Sequence, residues 1–131
     1  MMEYLIRTKE AQEFINITDL VREAVRKSGV KDGVAMVFVP HTTAGVTINE
    51  NADPDVVHDI LLGLNKAFPE KNEYLHMEGN SHAHIKASLM GSSCSVIIEN
   101  GNLKMGTWQG IYFCEFDGPR NRKVYIKIIE G

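Results

Sequence analysis

Cys94-Ser95-Val96-Ile97-Ile98-Glu99-Asn100-Gly101 reads as a β-strand running straight into a tight turn. Asn-Gly is the preferred pair for a two-residue hairpin, because both positions accept positive φ. A short extended piece follows at Leu103–Met105. Strands come next at Gly110–Phe116 and Lys123–Ile129, with Asp117-Gly118 opening the turn between them. The C-terminal part of the chain is therefore expected to be antiparallel sheet.

Working back toward the start, residues 3–8 predict a strand and Phe14–Ile17 a second, short one, with a hairpin turning near Lys9–Glu13. Thr18 reads as a helix N-cap, with Asp19 favourable in the first turn. Leu20, Val21, Ala24 and Val25 form one apolar stripe at helical spacing, and Gly29 closes the helix. Val34–Val39 is apolar on both faces, as a central buried strand is, and Pro40 ends it for want of an amide hydrogen. Val46–Asn49 alternates like a return strand. Asp53-Pro54 places a capping carboxylate before a proline at the first helical position. Val56, Val57, Ile60, Leu61, Leu64 and Phe68 then give a long apolar face that Pro69 stops. Residues 69–81 are polar and loop-like, and Ile85–Met90 predicts a short helix ended by Gly91. Strands at both ends and helices between them imply an α+β fold, with much antiparallel sheet, two main helices and one short helix.

The 131 residues make one domain, residues 1–131, long enough for a real core. A composition of 44% hydrophobic and 24% charged residues is ordinary for a globular chain. The formal net charge of -3 argues against a general grip on nucleic acid, which needs a basic patch, but leaves room for a local phosphate pocket. No apolar run is long enough to span a bilayer. Met-Met-Glu-Tyr-Leu-Ile-Arg-Thr lacks the features of a signal peptide, so a cytoplasmic location is expected. Cys94 and Cys114 form no CxxC and fall on strands, which suits buried free thiols in a reducing compartment.

The densest chemistry lies in Gly79-Asn80-Ser81-His82-Ala83-His84-Ile85-Lys86-Ala87-Ser88-Leu89-Met90-Gly91. On a strand, His82 and His84 would share a face; on a loop they can converge on one atom. With His41 as a third imidazole they suit a zinc-like metal or acid/base work. The plainer alternative is one structural and one exposed histidine. Lys86 continues the spacing as a point charge for phosphate, with Ser81 and Ser88 donating to the same oxygens; it also suits an exposed helix start. His41-Thr42-Thr43-Ala44-Gly45 follows a buried strand, where functional groups often sit. Thr42 and Thr43 can donate to an anion or simply form a turn. Glu50 can be a ligand, a base or a partner that orients a histidine, or an exposed loop charge. In Gly106-Thr107-Trp108-Gln109-Gly110, Trp108 can stack on a heterocycle whose edge Gln109 reads, or pack in the core. Arg120 and Arg122 offer guanidinium forks to phosphate, although most such arginines are solvated. His58 and His76 read as surface residues.

Together these blocks resemble the YjbQ family, also called the secondary thiamine-phosphate synthase family. The matching segments are His41–Gly45, Asn49-Glu50-Asn51-Ala52-Asp53-Pro54-Asp55-Val56, Gly79–Gly91 and Gly106-Thr107-Trp108-Gln109-Gly110-Ile111. Ser92-Ser93-Cys94 departs from the pattern, since a proline commonly follows Gly91 in relatives. The resemblance implies a mostly antiparallel, β-sandwich-like body and a homotrimer. It also implies weak thiamine-phosphate synthase activity in some members, joining an aminopyrimidine diphosphate to a thiazole phosphate with release of pyrophosphate. In that reading His41, His82, His84 and Glu50 serve catalysis, with the three histidines able to hold a divalent metal. Lys86, Ser88, Thr42, Thr43, Trp108, Gln109 and Arg120 serve substrate binding. Histidine ligands favour a zinc-like ion, whereas diphosphate chemistry usually uses magnesium. Two rivals remain: a trimeric protein that binds a metal or a small anionic ligand without turnover, and a metal-dependent hydrolase.

Overall fold

The computed structural model describes residues 1–131. In chain order the elements are β1 (Met2–Arg7), β2 (Glu13–Asn16), α1 (Thr18–Ser28), β3 (Gly33–Phe38), β4 (Ala44–Glu50), α2 (Pro54–Ala67), α3 (Ser81–Met90), β5 (Ser93–Glu99), β6 (Asn102–Leu103), β7 (Gln109–Glu115) and β8 (Asn121–Glu130). They build two antiparallel sheets, one of five strands in the order β1-β8-β3-β5-β6 and one of three in the order β2-β7-β4. The expected α+β sandwich is the observed one.

Two apolar layers hold it together. Between the sheets lie Ala35, Val37, Val46, Val96, Ile98, Ile111, Phe113, Val124 and Ile126, joined by Val21, Ala24 and Val25 of α1. On the outer face of the three-stranded sheet, Tyr112, Cys114 and Phe116 meet Ala83 and Ala87 of α3, with Val57, Leu61 and Leu64 of α2 against them. Strand β7 is thus buried on both faces, because it is central in its sheet and covered on each side. Helix α2 has no fully buried residue, so only part of its apolar face is used within the chain.

Local signals are mostly obeyed. Asp53 accepts a hydrogen bond from the Asp55 amide at 2.9 Å, with Pro54 opening α2. Asn100 and Gly101 take φ of 53° and 78°, the backbone that the β5–β6 hairpin requires. Three expectations need correction. First, β1 and β2 are not a hairpin: β1 pairs with β8 and β2 with β7, in different sheets. The Glu13 carboxylate accepts from the amides of Lys9 and Glu10 and folds the crossing segment between them. Second, Thr18 is inside α1, not its cap. Its hydroxyl donates to Asn16 Oδ1 and accepts from the Ile111 amide, so its bonds go to the neighbouring strand instead of the helix. Third, α3 begins at Ser81, not Ile85, and is ten residues long.

Candidate active site cleft

The third correction decides the site. Two positions along an α-helix turn a side chain by roughly 200°. His82 and His84 therefore leave α3 on nearly opposite sides and do not converge. His84 faces a cleft; the Nδ1 atom of His82 is buried without a hydrogen-bond partner elsewhere.

The cleft forms where β3 ends, β4 begins and the β7–β8 turn closes over the start of α3. It is lined wholly by polar residues and proline, among them His41, Thr42, Thr43, His76, His84 and Arg120, and encloses about 400 Å³. A second lobe of about 480 Å³ shares His41, Thr42 and His84 and reaches Ser88 and Ser92. Helix α3 is held against this point by Gly45. A β-carbon there would come 2.7 Å from the Gly91 carbonyl, and the Val46 amide donates to that same carbonyl at 3.0 Å. Asn80 at the head of α3 donates to Asp117 at 2.9 Å, which ties the helix to the β7–β8 turn. The Oδ1 atom of Asn80 is buried and unpaired, and no side chain caps the helix.

Beneath the cleft lies a buried ion pair. Glu115 and Arg122 are 0% and 5% exposed. Arg122 holds both oxygens of Glu115, through Nε at 2.9 Å and through a short contact from its second arm, and also donates to the Thr43 hydroxyl at 2.9 Å. The Thr8 hydroxyl donates to Glu115 at 2.7 Å. Burial alone would raise the Glu115 carboxyl, but the bonds from Arg122, Thr8 and the Asp117 amide together hold it below its ordinary value. Thr43 is thus part of the scaffold, while Thr42 is exposed at the rim. His41 accepts a hydrogen bond on Nε2 from the Lys123 amide at 2.9 Å. Burial first, and the Arg122 charge next, hold its imidazole below the usual value, with Glu115 pulling the other way.

The candidate residues accordingly separate into groups. His41, Thr42, Thr43, His84, Ser88 and Arg120 gather around the two lobes. Ser88 sits at the exposed edge, its hydroxyl donating to the His84 carbonyl. His76, read as a surface residue, joins the gathered group: it lines the cleft with its ring edge-on to His84, centroids 5.4 Å apart. Only the nearness of residues 69–81 to α3 could have signalled this. Arg122, Glu115, Asn80 and Asp117 were legible as polar residues but not as one network.

Lys86 stands elsewhere. It is 1% exposed, and its ammonium donates to Asn65 of α2 and to Gln12. Burial lowers its pKa. It ties α3 to α2 and to the segment between β1 and β2, and borders neither lobe. Glu50, Trp108 and Gln109 lie at the far end of the β4–β7 ladder, where Glu50 pairs with Gln109. A seven-residue strand separates them from the cleft by about 20 Å. Trp108 is 63% exposed, so it is not a core residue. No three His, Cys, Asp or Glu side chains of the chain come close enough to hold a metal ion. The set His41, His82 and His84 thus does not fit a resident metal within one chain.

The whole chain can be placed among known proteins. Residues 2–131 match the family model described as UPF0047 protein YjbQ-like. The chain is 53% identical over 129 residues to the UPF0047 protein MJ1081 of Methanocaldococcus jannaschii, covering 98% of this chain and 94% of that one. It is 53% identical over 125 residues to YugU of Bacillus subtilis, covering 95% of each. A crystal structure of a conserved YjbQ/UPF0047-family protein from Clostridium acetobutylicum superposes with a TM-score of 0.97 at 67% identity, covering 98% of this chain and 100% of that one. A YbjQ-like protein from Sulfolobus solfataricus gives 0.94 at 32% identity, covering 99% and 96%. With sequence and fold agreeing along its full length, the chain belongs to the YjbQ/UPF0047 family.

Proposed function

We propose that the cleft binds a small phosphorylated molecule and that the chain is an enzyme acting on it, with thiamine-phosphate synthase-like coupling as the reaction. The observation that carries this reading is the convergence of His41, His76 and His84 with Arg120 on one polar cleft beside the uncapped start of α3. Helix N-termini favour anions, and imidazole N–H groups donate to anionic oxygens. In the coupling, diphosphate leaves the pyrimidine methylene and the thiazole nitrogen captures the resulting cation. The chain must then stabilise a leaving anion and hold a ring.

Arg122 is matched by Glu115 and Arg120 by Asp117. Glu78 also lines the cleft. The cleft therefore holds no surplus of positive charge for a diphosphate. In this reading the diphosphate arrives as its magnesium complex, the usual form for such chemistry, and no step is assigned to a metal held by the histidines. The test is an assay with the aminopyrimidine diphosphate and the thiazole phosphate. Turnover that stops with chelator, returns with magnesium, and disappears in His84→Ala but not in His82→Ala supports the reading. Saturable ligand binding without turnover favours the binding-protein rival; phosphatase or esterase turnover that chelator stops favours the hydrolase.

A homotrimer belongs to the same proposal. The outer face of the five-stranded sheet leaves Met36, Phe38, Ile97 and Ile129 exposed, with Phe38 stacked on Tyr125 at 6.4 Å. Such a face suits contact between copies. Sedimentation of the purified chain tests it: a monomer would remove the trimer from the proposal. A cytoplasmic location fits the free thiols of Cys94 and Cys114. Among the helices, none is long and apolar enough to cross a membrane.

A further inference from the structure

We infer that His41 is fixed as the tautomer that carries its proton on Nδ1, and that it serves the cleft as a hydrogen-bond donor to a ligand oxygen, not as a metal ligand or a base. The inference rests on one geometric fact. The Lys123 amide points at Nε2 of His41, 2.9 Å away. A backbone N–H can only donate, so Nε2 must supply a lone pair. A neutral imidazole has one N–H, which then belongs to Nδ1. A flipped ring would set a C–H against the amide and lose the bond.

The other end of the ring is free. Nδ1 makes no hydrogen bond within the chain, and it is not one of the buried unpaired polar atoms, which are Asn80 Oδ1 and His82 Nδ1. It therefore reaches solvent, and the lobes that His41 borders are the ones shared with Thr42 and His84. The geometry discourages the doubly protonated ring as well, since protonating Nε2 would set its new N–H against the Lys123 amide. For His41 to coordinate a metal through Nδ1, the ring would have to give up the Lys123 bond or lose its last proton. As a fixed donor it selects ligands that present an acceptor, such as a phosphate or carboxylate oxygen. This deepens the proposed function and rests on it for the ligand class, but the tautomer stands on the hydrogen bond alone.

Nitrogen-15 NMR of the full chain at neutral pH reads the tautomer directly, with the His41 signals assigned by their loss in His41→Gln. The expected pattern is a protonated Nδ1 and an unprotonated Nε2. A protonated Nε2 overturns the inference whatever the ligand proves to be. The donor role is read by titrating inorganic pyrophosphate with magnesium into two variants. The amide nitrogen of Asn falls near Nδ1, so His41→Asn can keep the donor. Gln reaches the Nε2 position, so His41→Gln can keep the Lys123 bond but not the donor. About tenfold weaker binding in His41→Gln than in His41→Asn is expected for one hydrogen bond. Equal losses overturn the donor role. If the tautomer is as expected and wild type binds no pyrophosphate, the proposed ligand class is overturned along with the donor role toward it, while the tautomer stands.

Discussion

The two ends of the β4–β7 ladder differ in how their polar groups are held. At the cleft end, Ala44 pairs with Glu115, and the polar groups around that pair reach across the fold. Thr8, Thr43, Glu115 and Arg122 come from the ends of four different strands or their flanks and bond to one another over up to 107 positions of sequence. At the far end the side chains of Glu50 and Gln109 accept only from the Ala52 and Gly106 amides, two and three positions away, while the one long bond, from the Tyr112 hydroxyl, goes to the Glu50 carbonyl of the backbone. Both ends look equally rich in the sequence. Only one has a buried scaffold that fixes its side chains, and preorganised geometry is what separates a site from a polar turn.

The largest test of that contrast is Arg122→Ala. It leaves the Glu115 carboxylate buried beneath the cleft without its partner, and loss of one member of a buried pair costs about 3–5 kcal/mol. Urea denaturation should show the unfolding free energy falling by that amount, as a lower midpoint at unchanged slope. Replacing both residues by apolar ones of similar size should restore most of the loss, because the desolvation cost disappears with the pair. A small effect of Arg122→Ala would mean that the network is ornamental and would remove the distinction between the two ends.

Acid titration sharpens the same point. The Glu115 carboxyl lies below its ordinary 4.5 in the folded chain, so the unfolded chain binds more protons as pH falls through that window. The stabilisation is complete above 4.5 and is lost as pH falls through the lowered value. Glu115→Gln should flatten that acid loss. Asp117 contributes in the same direction: bonds from Asn80 and Arg120 outweigh a burial effect that would raise it.

What the sequence revealed follows the range of the interactions. The Asn100-Gly101 turn and the Asp53 cap depend on neighbours within a few positions, and both are as expected. The partner of β1 depends on a strand more than a hundred positions away, and no local signal specifies it. The His-x-His spacing misled for a related reason. Its meaning rests on whether the backbone is extended or helical, and α3 starts four residues before the apolar signal at Ile85. In Ser81–His84 only Ala83 enters the apolar layer, while His84 faces the cleft, so the first turn of the helix carries no apolar stripe. The family resemblance pointed to His41–Gly45 and Gly79–Gly91, which the fold brings together at the cleft, but could not say which imidazole faces it.

Lys86 gives a test of intermediate size, and it separates the two faces of α3. Burial lowers its pKa from 10.5, so in the window up to 10.5 the unfolded chain binds more protons than the folded one. Its burial cost is present below the lowered value and is relieved as pH rises to 10.5. Lys86→Met removes that cost. At pH 7 the variant should be no less stable than wild type, within about 1 kcal/mol, because a buried charge is exchanged for an apolar chain of similar length. Wild type should gain on the variant as pH rises toward 10.5. If Lys86→Met instead abolishes pyrophosphate binding with stability intact, the ammonium reaches the ligand and the division between the faces of α3 fails.

The smallest effect is expected at the far end itself. Trp108 is 63% exposed, and its removal touches no core and no buried bond. Trp108→Ala should change stability by no more than about 0.5 kcal/mol. Ligand affinity is the more telling measurement. Within one chain, about 20 Å of β4 stands between Trp108 and the cleft, so pyrophosphate binding should be unchanged. A tenfold loss at unchanged stability would require the far end of one chain to sit against the cleft of the next. Glu50→Ala would then show the same loss, and a mixture of cleft-defective His84→Ala chains with Trp108→Ala chains would recover part of the binding. Two residues that look like spectators in a single chain would become the second half of a site, and the contrast between the ends would become a contrast between what one copy offers and what its neighbour receives.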